Sequence, residues 1–315
     1  MPNKLYLECY SGISGDMTVA ALLDLGADQQ VLLEGLESLN LPGYQLKIGR
    51  VKKNGIDACD FDVILDEPEH HHDHDHEHDH DHDHEHHHDH EHEHHHDHEH
   101  EHHHDHDHEH DHDHDHEHDH DHDHEHHHHH EHEHDHEHHH HHDHVHRNIG
   151  DIFAIIDQSK INDRAKQTAK DIFRIIAAAE SKAHGIAEDQ VHFHEVGAVD
   201  SIVDIVSAAI CLDNLDITEA VVSDLYEGCG YVHCQHGLMP VPVPAVVNIA
   251  ADNALRLRLT QTRGEMITPT GAAIAAYLSK GGKLPESFVI EKIGLGAGKK
   301  DFATANILRA FLIRD

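Results

Sequence analysis

Residues 70–146 form a run of His, Asp and Glu interrupted only by Val145, and this run limits what the 315-residue chain can fold into more than any other feature. Of its 77 residues, 47 are His and 29 are acidic, and none is Lys or Arg. Without apolar side chains the tract has no hydrophobic gain to set against the conformational entropy of ordering, so the sequence predicts a segment that is disordered without a ligand. The folded body must then come from the flanks, an N-terminal α/β part at 1–69 and the remainder of the body at 147–315, with the tract as a long insertion. Such an insertion is tolerated because loop-closure entropy grows slowly with length.

Mixed imidazole and carboxylate suit borderline divalent ions such as Ni²⁺, Zn²⁺, Cu²⁺ and Co²⁺. His70, His71, His72, His74 and His76 open the tract, and His127, His128, His139 and His140 belong to its later His-rich runs, which makes all nine candidate ligands. Unperturbed imidazole titrates near pH ~6.5, so the tract is largely neutral and free to ligate at neutral pH, and acidification should expel metal.

Outside the tract, 33 acids face 22 Lys and Arg, an ordinary, mildly acidic balance. That balance argues against nucleic acid as a partner. No apolar run reaches membrane-span length, and MPNKLYLE lacks the apolar core of a signal peptide. Cys9, Cys59, Cys211, Cys229 and Cys234 form neither a C-x-x-C pair nor an even disulfide framework, which points to reduced thiols in the cytoplasm.

The expected fold is mixed α/β with some α+β character, a mixed sheet with flanking helices. KLYLEC (4–9) reads as a buried strand, Ser11–Asp16 as a turn and Met17–Leu25 as a helix stopped by Gly26. A second helix is expected over 30–39. Asn54-Gly55 joins the alternating segments 44–53 and 56–65 into a hairpin. After the tract, helical spacing resumes at Ile149 and again over 163–183, where Ala165, Ala169, Ile172, Phe173, Ile176 and Ala177 form one stripe. Further strands are expected at 221–225, 256–260, 288–293 and 305–312, and a helix over 245–251 opened by Pro244.

Four blocks carry candidate chemistry. In the first, the strand–turn–helix order places Ser11, Gly12, Ser14, Gly15 and Asp16 where backbone N–H groups can hold a phosphate or carboxylate, although a plain capped turn explains the same residues. In the second, Val191–Glu195 reads as a strand with His192 and His194 on one face, followed by a helix carrying Asp200 and Asp204 at i, i+4. His192, His194, Glu195 and Asp200 are the acid/base candidates there, and helix-capping acids over a packed His pair are the plainer alternative. In the third, Cys229 to His236 brings two thiols and two imidazoles together, with Cys234 and His236 sharing a strand face as metal candidates. In the fourth, Thr268 caps a helix with Pro269 at its first position, so Thr268, Thr270 and Gly271 form a second phosphate cradle or a simple cap. A glycine-rich loop is expected at 294–301 with Lys299 and Lys300 beside it.

The blocks YLECYSGISGDM, VHFHEVGAVDSIVDIV, CGYVHCQHGLMPVPVPA, GEMITPTGAA and GLGAGKKDF, in this order, resemble the LarC family of nickel-insertion proteins over essentially the whole body. The resemblance includes a His-rich insertion at the tract's position. It implies a CTP-dependent nickel chelatase of the lyase class that takes Ni(II) as substrate and inserts it into pyridinium-3,5-bisthiocarboxylic acid mononucleotide. Ni–S and Ni–C bonds form, and CMP and diphosphate are released. It further implies CTP with a divalent ion such as Mn or Mg, lactate racemase as recipient of the nickel-pincer cofactor, and room for a homo-oligomer. Family members continue into a C-terminal domain that places the CTP site, so the chain is expected to be the first part of such a protein and to work with the second. On this reading the tract is a nickel reservoir. A nickel store or chaperone without catalysis, and a metal-dependent nucleotide hydrolase, are the competing readings.

Overall fold

Apolar residues that alternate along the first and last strands build a sheet with two different faces. The computed structural model describes residues 3–66, 147–191, 199–234 and 236–314. The tract, and with it His70 to His140 and the proposed insertion boundary, lies outside these residues, as do His192, His194 and Glu195.

In chain order the elements are β1 (Asn3–Glu8), α1 (Gly15–Leu25), α2 (Gln29–Glu37), β2 (Tyr44–Lys53), β3 (Ile56–Leu65), α3 (Ile149–Gln158), α4 (Asp163–His184), α5 (Val199–Asn214), β4 (Ile217–Val222), β5 (Leu225–Cys229), β6 (Tyr231–Cys234), β7 (Gly237–Pro240), α6 (Pro244–Asp252), β8 (Leu257–Arg263), α7 (Pro269–Leu278), β9 (Val289–Ala297) and β10 (Ile307–Arg314). The main sheet is six-stranded and mixed, in the order β2-β3-β9-β10-β1-β4. β1 runs antiparallel to β10 and parallel to β4, and β3 meets β9 in parallel through Cys59 opposite Gly296. β5 and β8 form a small parallel pair and β6 and β7 a hairpin.

One face of the sheet, with Leu5, Leu7, Leu308, Ala310 and Leu312, enters the main core, while Tyr6, Val221, Phe311 and Ile313 cluster on the other. α1 covers the core face over β3, β9 and β10 and passes its other side to α5 and α7. α5 is apolar nearly all round and is buried from Ser201 to Leu212 except at Asp204, as expected of a helix enclosed on every side. The expected stripe of α4, from Ala165 to Ala177, is buried throughout, and α4 packs on α5, α6 and α7.

The glycine-rich segment differs from its expectation. Gly294 and Gly296 are not in a loop but inside β9, because α1 lies almost on their backbone. A Cβ at Gly296 would sit 2.0 Å from Met17 O, and one at Gly294 2.1 Å from Ala21 O. The expected 221–225 strand is likewise two elements, β4 and β5, parted at Ser223–Asp224, where Ser223 N–H bonds Leu7 O and Tyr226 N–H bonds Cys9 O. Among the described residues no helix is long and apolar enough to cross a membrane.

Candidate functional site

The turn after β1 is tied to the segment before α7. Ile13 N–H bonds Met266 O (3.0 Å), Thr268 N–H bonds Ile13 O (3.1 Å), and Ile13 pairs with Ile267 as an isolated parallel bridge. Gly12, at φ 89°, lies so close to this segment that a Cβ would fall 2.1 Å from Met266 O. Glu227, fully buried in the middle of β5, holds the same segment from behind. Its Oε1 accepts the N–H groups of Gly228 (2.7 Å), Met266 (2.7 Å) and Ile267 (3.2 Å). The consequence is that α1 and α7 begin side by side, with Gly271 against Ile13 O and Gly15 against the Asp204 carboxylate on α5. Three helix N-termini therefore meet.

They enclose a cavity of about 330 Å³ lined by Ser14, Asp16, Asp62, Asp200, Asp204 and Lys299, with Thr268 and Thr270 on the α7 side. Thr268 caps α7 as expected, its Oγ1 accepting Gly271 N–H at 3.1 Å. Ser14 occupies the N-cap position of α1 but does not cap; its hydroxyl donates a short hydrogen bond to Asp16 Oδ1. Lys299 Nζ lies 3.1 Å from Asp60 and 3.0 Å from Asp62.

Burial dominates the electrostatics. It raises the Asp204 carboxyl well above its ordinary range, and the nearby charges of Asp16 and Asp200 raise it further, against the pull of Lys299 and the Asp16 N–H. Burial also raises Asp16 despite its bonds from Ser14 and Met17, and raises Asp200. Burial works against the charge of Lys299, but Asp62, Asp60 and Asp16 outweigh it and hold the ammonium above its usual value. Asp200 Oδ1 and Asp204 Oδ1 are both shut from solvent without a hydrogen-bond partner among the described residues. A buried carboxylate oxygen left this way is an acceptor awaiting a proton or a cation.

Four carboxylates against one ammonium make the cavity net negative even with Asp204 protonated. The N–H cradles that the sequence suggests are present, but their charge setting favours a cation or a proton over a lone phosphate. Among the described residues no three His, Cys, Asp or Glu side chains are grouped to hold a metal ion.

Of the residues singled out from sequence, Ser14, Gly15, Asp16, Asp200, Thr268 and Thr270 come together in this cavity, and Gly271 packs immediately behind it. Ser11 does not; it lines a separate hollow with Tyr10 and Arg309. Gly12 serves the close approach to Met266. The shared strand face expected for Cys234 and His236 is replaced by a hairpin: β6 stops at Cys234, and the His236 ring lies in the turn, 4.9 Å from that of His184. None of the five cysteines is joined in a disulfide. Sequence reasoning undervalued Asp204, Asp62 and Lys299. The signals were the i, i+4 spacing with Asp200, the alternation of Asp60 and Asp62 along β3, and a lysine directly after the glycines. Glu227 carried no motif at all.

A family model described as nickel insertion protein matches residues 5–315. A protein of Alkaliphilus metalliredigens, named pyridinium-3,5-bisthiocarboxylic acid mononucleotide nickel insertion protein, is 53% identical over 315 residues, covering 100% of this chain and 61% of that protein. Proteins of the same name from Clostridium acetobutylicum and Acetivibrio thermocellus are 41% and 35% identical, each over 98% of this chain and over 63% and 60% of their own lengths. The chain thus spans about three-fifths of the length of these relatives. No solved structure matches.

Proposed function

We infer the function from one premise, that this chain belongs to the nickel insertion protein family: we propose that it inserts Ni(II) into pyridinium-3,5-bisthiocarboxylic acid mononucleotide, giving the nickel-pincer cofactor of lactate racemase. The observation that carries the reading is the pair of buried carboxylate oxygens, on Asp200 and Asp204, left without partners where three helices begin.

Forming a nickel–carbon bond displaces a ring proton, and that proton needs an acceptor. A carboxylate whose proton affinity is raised toward the working pH is a better base than an exposed one. Burial, with the neighbouring Asp16 and Asp200, raises the proton affinity of Asp204. The proton passes from ring carbon to Asp204 while the electron pair of the C–H bond goes to nickel. Asp16, Asp62 and Asp200 make the cavity attractive to Ni²⁺ and to a cationic pyridinium ring, and the side lined by Thr268 and Thr270 is assigned to the thiocarboxylate groups. His192, His194 and Glu195, a few residues ahead of Asp200 in sequence, are proposed as further proton or metal carriers. CTP turnover with Mn or Mg is assigned to the part of the relatives' length that this chain does not span, and lactate racemase to the role of recipient. A cytoplasmic location fits the reduced thiols.

The tract supplies nickel by raising its concentration near the body. Its composition also supports a second reading, a nickel store that hands the metal on without catalysis. Deletion of residues 70–146 separates the two. With purified mononucleotide, CTP, saturating Ni²⁺ and the remaining part of the protein supplied, the deleted chain should still form the cofactor. Complete loss under saturating nickel would contradict a catalytic body.

A further inference from the structure

The proton transfer assigned to Asp204 gives Lys299 no task, although among the described residues Lys299 is the only cation that lines the acidic cavity. Its Nζ pairs with Asp60 at 3.1 Å and with Asp62 at 3.0 Å, carboxylates on alternate residues of β3. Its charge also acts on Asp16 and Asp204, holding both carboxyls below where burial and their acidic neighbours alone would put them. The ammonium thus already does, in electrostatic terms, what a cation entering the cavity would do.

Lys299 also lines a second hollow, of about 230 Å³, which shares Ser14, Asp16 and Thr268 with the first and adds Glu265, Met266 and Phe302. The backbone that carries Lys299 is tied down. Gly298 N–H bonds Asn306 O (2.9 Å), the Asn306 side-chain amide donates to Lys300 O (2.8 Å), and Lys53 Nζ donates to Lys299 O (3.4 Å). The side chain is not held in the same way. It is 43% exposed and sits on a flexible four-carbon stem, so it can turn from one hollow to the other while the loop stays in place. In the second hollow the Glu265 and Asp16 carboxylates remain within its surroundings.

Carboxylate oxygens are the preferred ligands of hard ions such as Ca²⁺ and Mg²⁺, whereas Ni²⁺ gains more from nitrogen and sulfur. A cavity of four carboxylates without a cation of its own would therefore favour the hard ions. We propose that Lys299 is a specificity-determining residue, the resident counter-cation of the acidic cavity, which bars divalent ions held by carboxylates alone. It withdraws toward the second hollow when a metal finds softer ligands whose bonds offset the lost pairs with Asp60 and Asp62. The thiocarboxylate sulfurs of the mononucleotide are such ligands, and this half of the proposal rests on the insertion reading. The exclusion of hard ions rests on the cavity and its lysine.

The test is thermal unfolding of the full chain with and without millimolar Ca²⁺, at constant ionic strength, followed by far-UV circular dichroism. The tract, which lacks apolar side chains, offers its carboxylates to Ca²⁺ in the native and the unfolded chain alike and so adds no shift. Calcium should raise the melting temperature of Lys299→Met by about 3 °C or more, and that of the parent by less than about 1 °C. Lys299→Arg, which keeps the charge, should behave as the parent. So should Lys170→Met, which removes a lysine paired with Asp157 on the helical side of the molecule. Each protein is compared with itself, so a change in its stability without calcium cancels, and Lys299→Gln repeats the test with a second uncharged side chain. No calcium-dependent rise in either uncharged variant, or an equal rise in the parent, would overturn the proposal. The measurement uses neither mononucleotide, nickel nor turnover, so its failure leaves the insertion reading standing, and failure of that reading leaves the calcium result unchanged.

Discussion

Replacing Gly271 by Ala probes the junction on which the acidic cavity depends. The new Cβ would lie 2.2 Å from Ile13 O, 2.5 Å from Ile13 C and 2.8 Å from Ser14 Cα. All three are backbone atoms, so no side-chain rotation relieves the clash, and α7 must move away from the start of α1 by roughly an ångström. Overpacking of this kind costs about 1–3 kcal/mol. The same displacement stretches the Ile13 N–H to Met266 O and Thr268 N–H to Ile13 O bonds, worth roughly 1 kcal/mol each. The expected destabilisation is therefore about 2–5 kcal/mol, a fall in melting temperature of roughly 5–15 °C for a body of this size. Gly49→Ala is the control, because nothing lies within 4 Å of its Cβ and it sits in the strand β2. Alanine there should be neutral or stabilising by up to about 1 kcal/mol. Urea unfolding followed by far-UV circular dichroism compares the two. Equal midpoints would refute the close meeting of α1 and α7.

Glu227 gives a pH-dependent prediction. Burial lifts its carboxyl from 4.5 to about 7, against three N–H bonds that favour the charged form. A raised carboxyl is a penalty on the folded state that is absent below pH 4.5, grows as the pH rises, and is complete above about pH 7. Glu227→Gln keeps an acceptor for the N–H groups and removes the charge. Its stability relative to the parent should improve between pH 5 and pH 8, by up to roughly 3 kcal/mol from the size of the shift; a pH-independent difference in denaturation midpoints would contradict it. For the tract, bound nickel per chain should fall steeply between about pH 7 and pH 5 as imidazoles protonate. A flat metal-to-protein ratio by equilibrium dialysis would show that the tract is not the main store.

The elements most legible in the sequence were those with strong local signals. Asn54-Gly55 sits at positive φ between β2 and β3, Thr268-Pro269 opens α7, and the α4 stripe is buried as its spacing implies. Errors arose where a residue's role was set by a distant partner. Gly294 and Gly296 resemble a ligand loop in sequence, yet they are glycines because α1 presses on β9. The split between β4 and β5 comes from bonds to β1, more than 200 residues earlier. The site shows the same division. Asp16, Asp200 and the Thr268 cap stood in recognisable motifs, but the grouping of Asp16 with Asp204, Asp62 and Lys299 is a product of sheet order. Glu227 acts through backbone groups of a segment some 40 residues on, and no pattern announces it.

The most direct test of the account is cofactor formation by the Asp204→Asn chain, assayed with the mononucleotide, Ni²⁺, CTP and the remaining part of the protein. Asparagine keeps the size of the side chain and an acceptor for the Asp16 N–H, but cannot take the ring proton. The account predicts a fall in the rate of at least about a hundredfold, the usual worth of a positioned base, with bulk nickel binding by the tract unchanged. A rate within a few-fold of the parent at saturating nickel would show that the proton leaves by another route and that the acidic cavity is not where carbon is metallated.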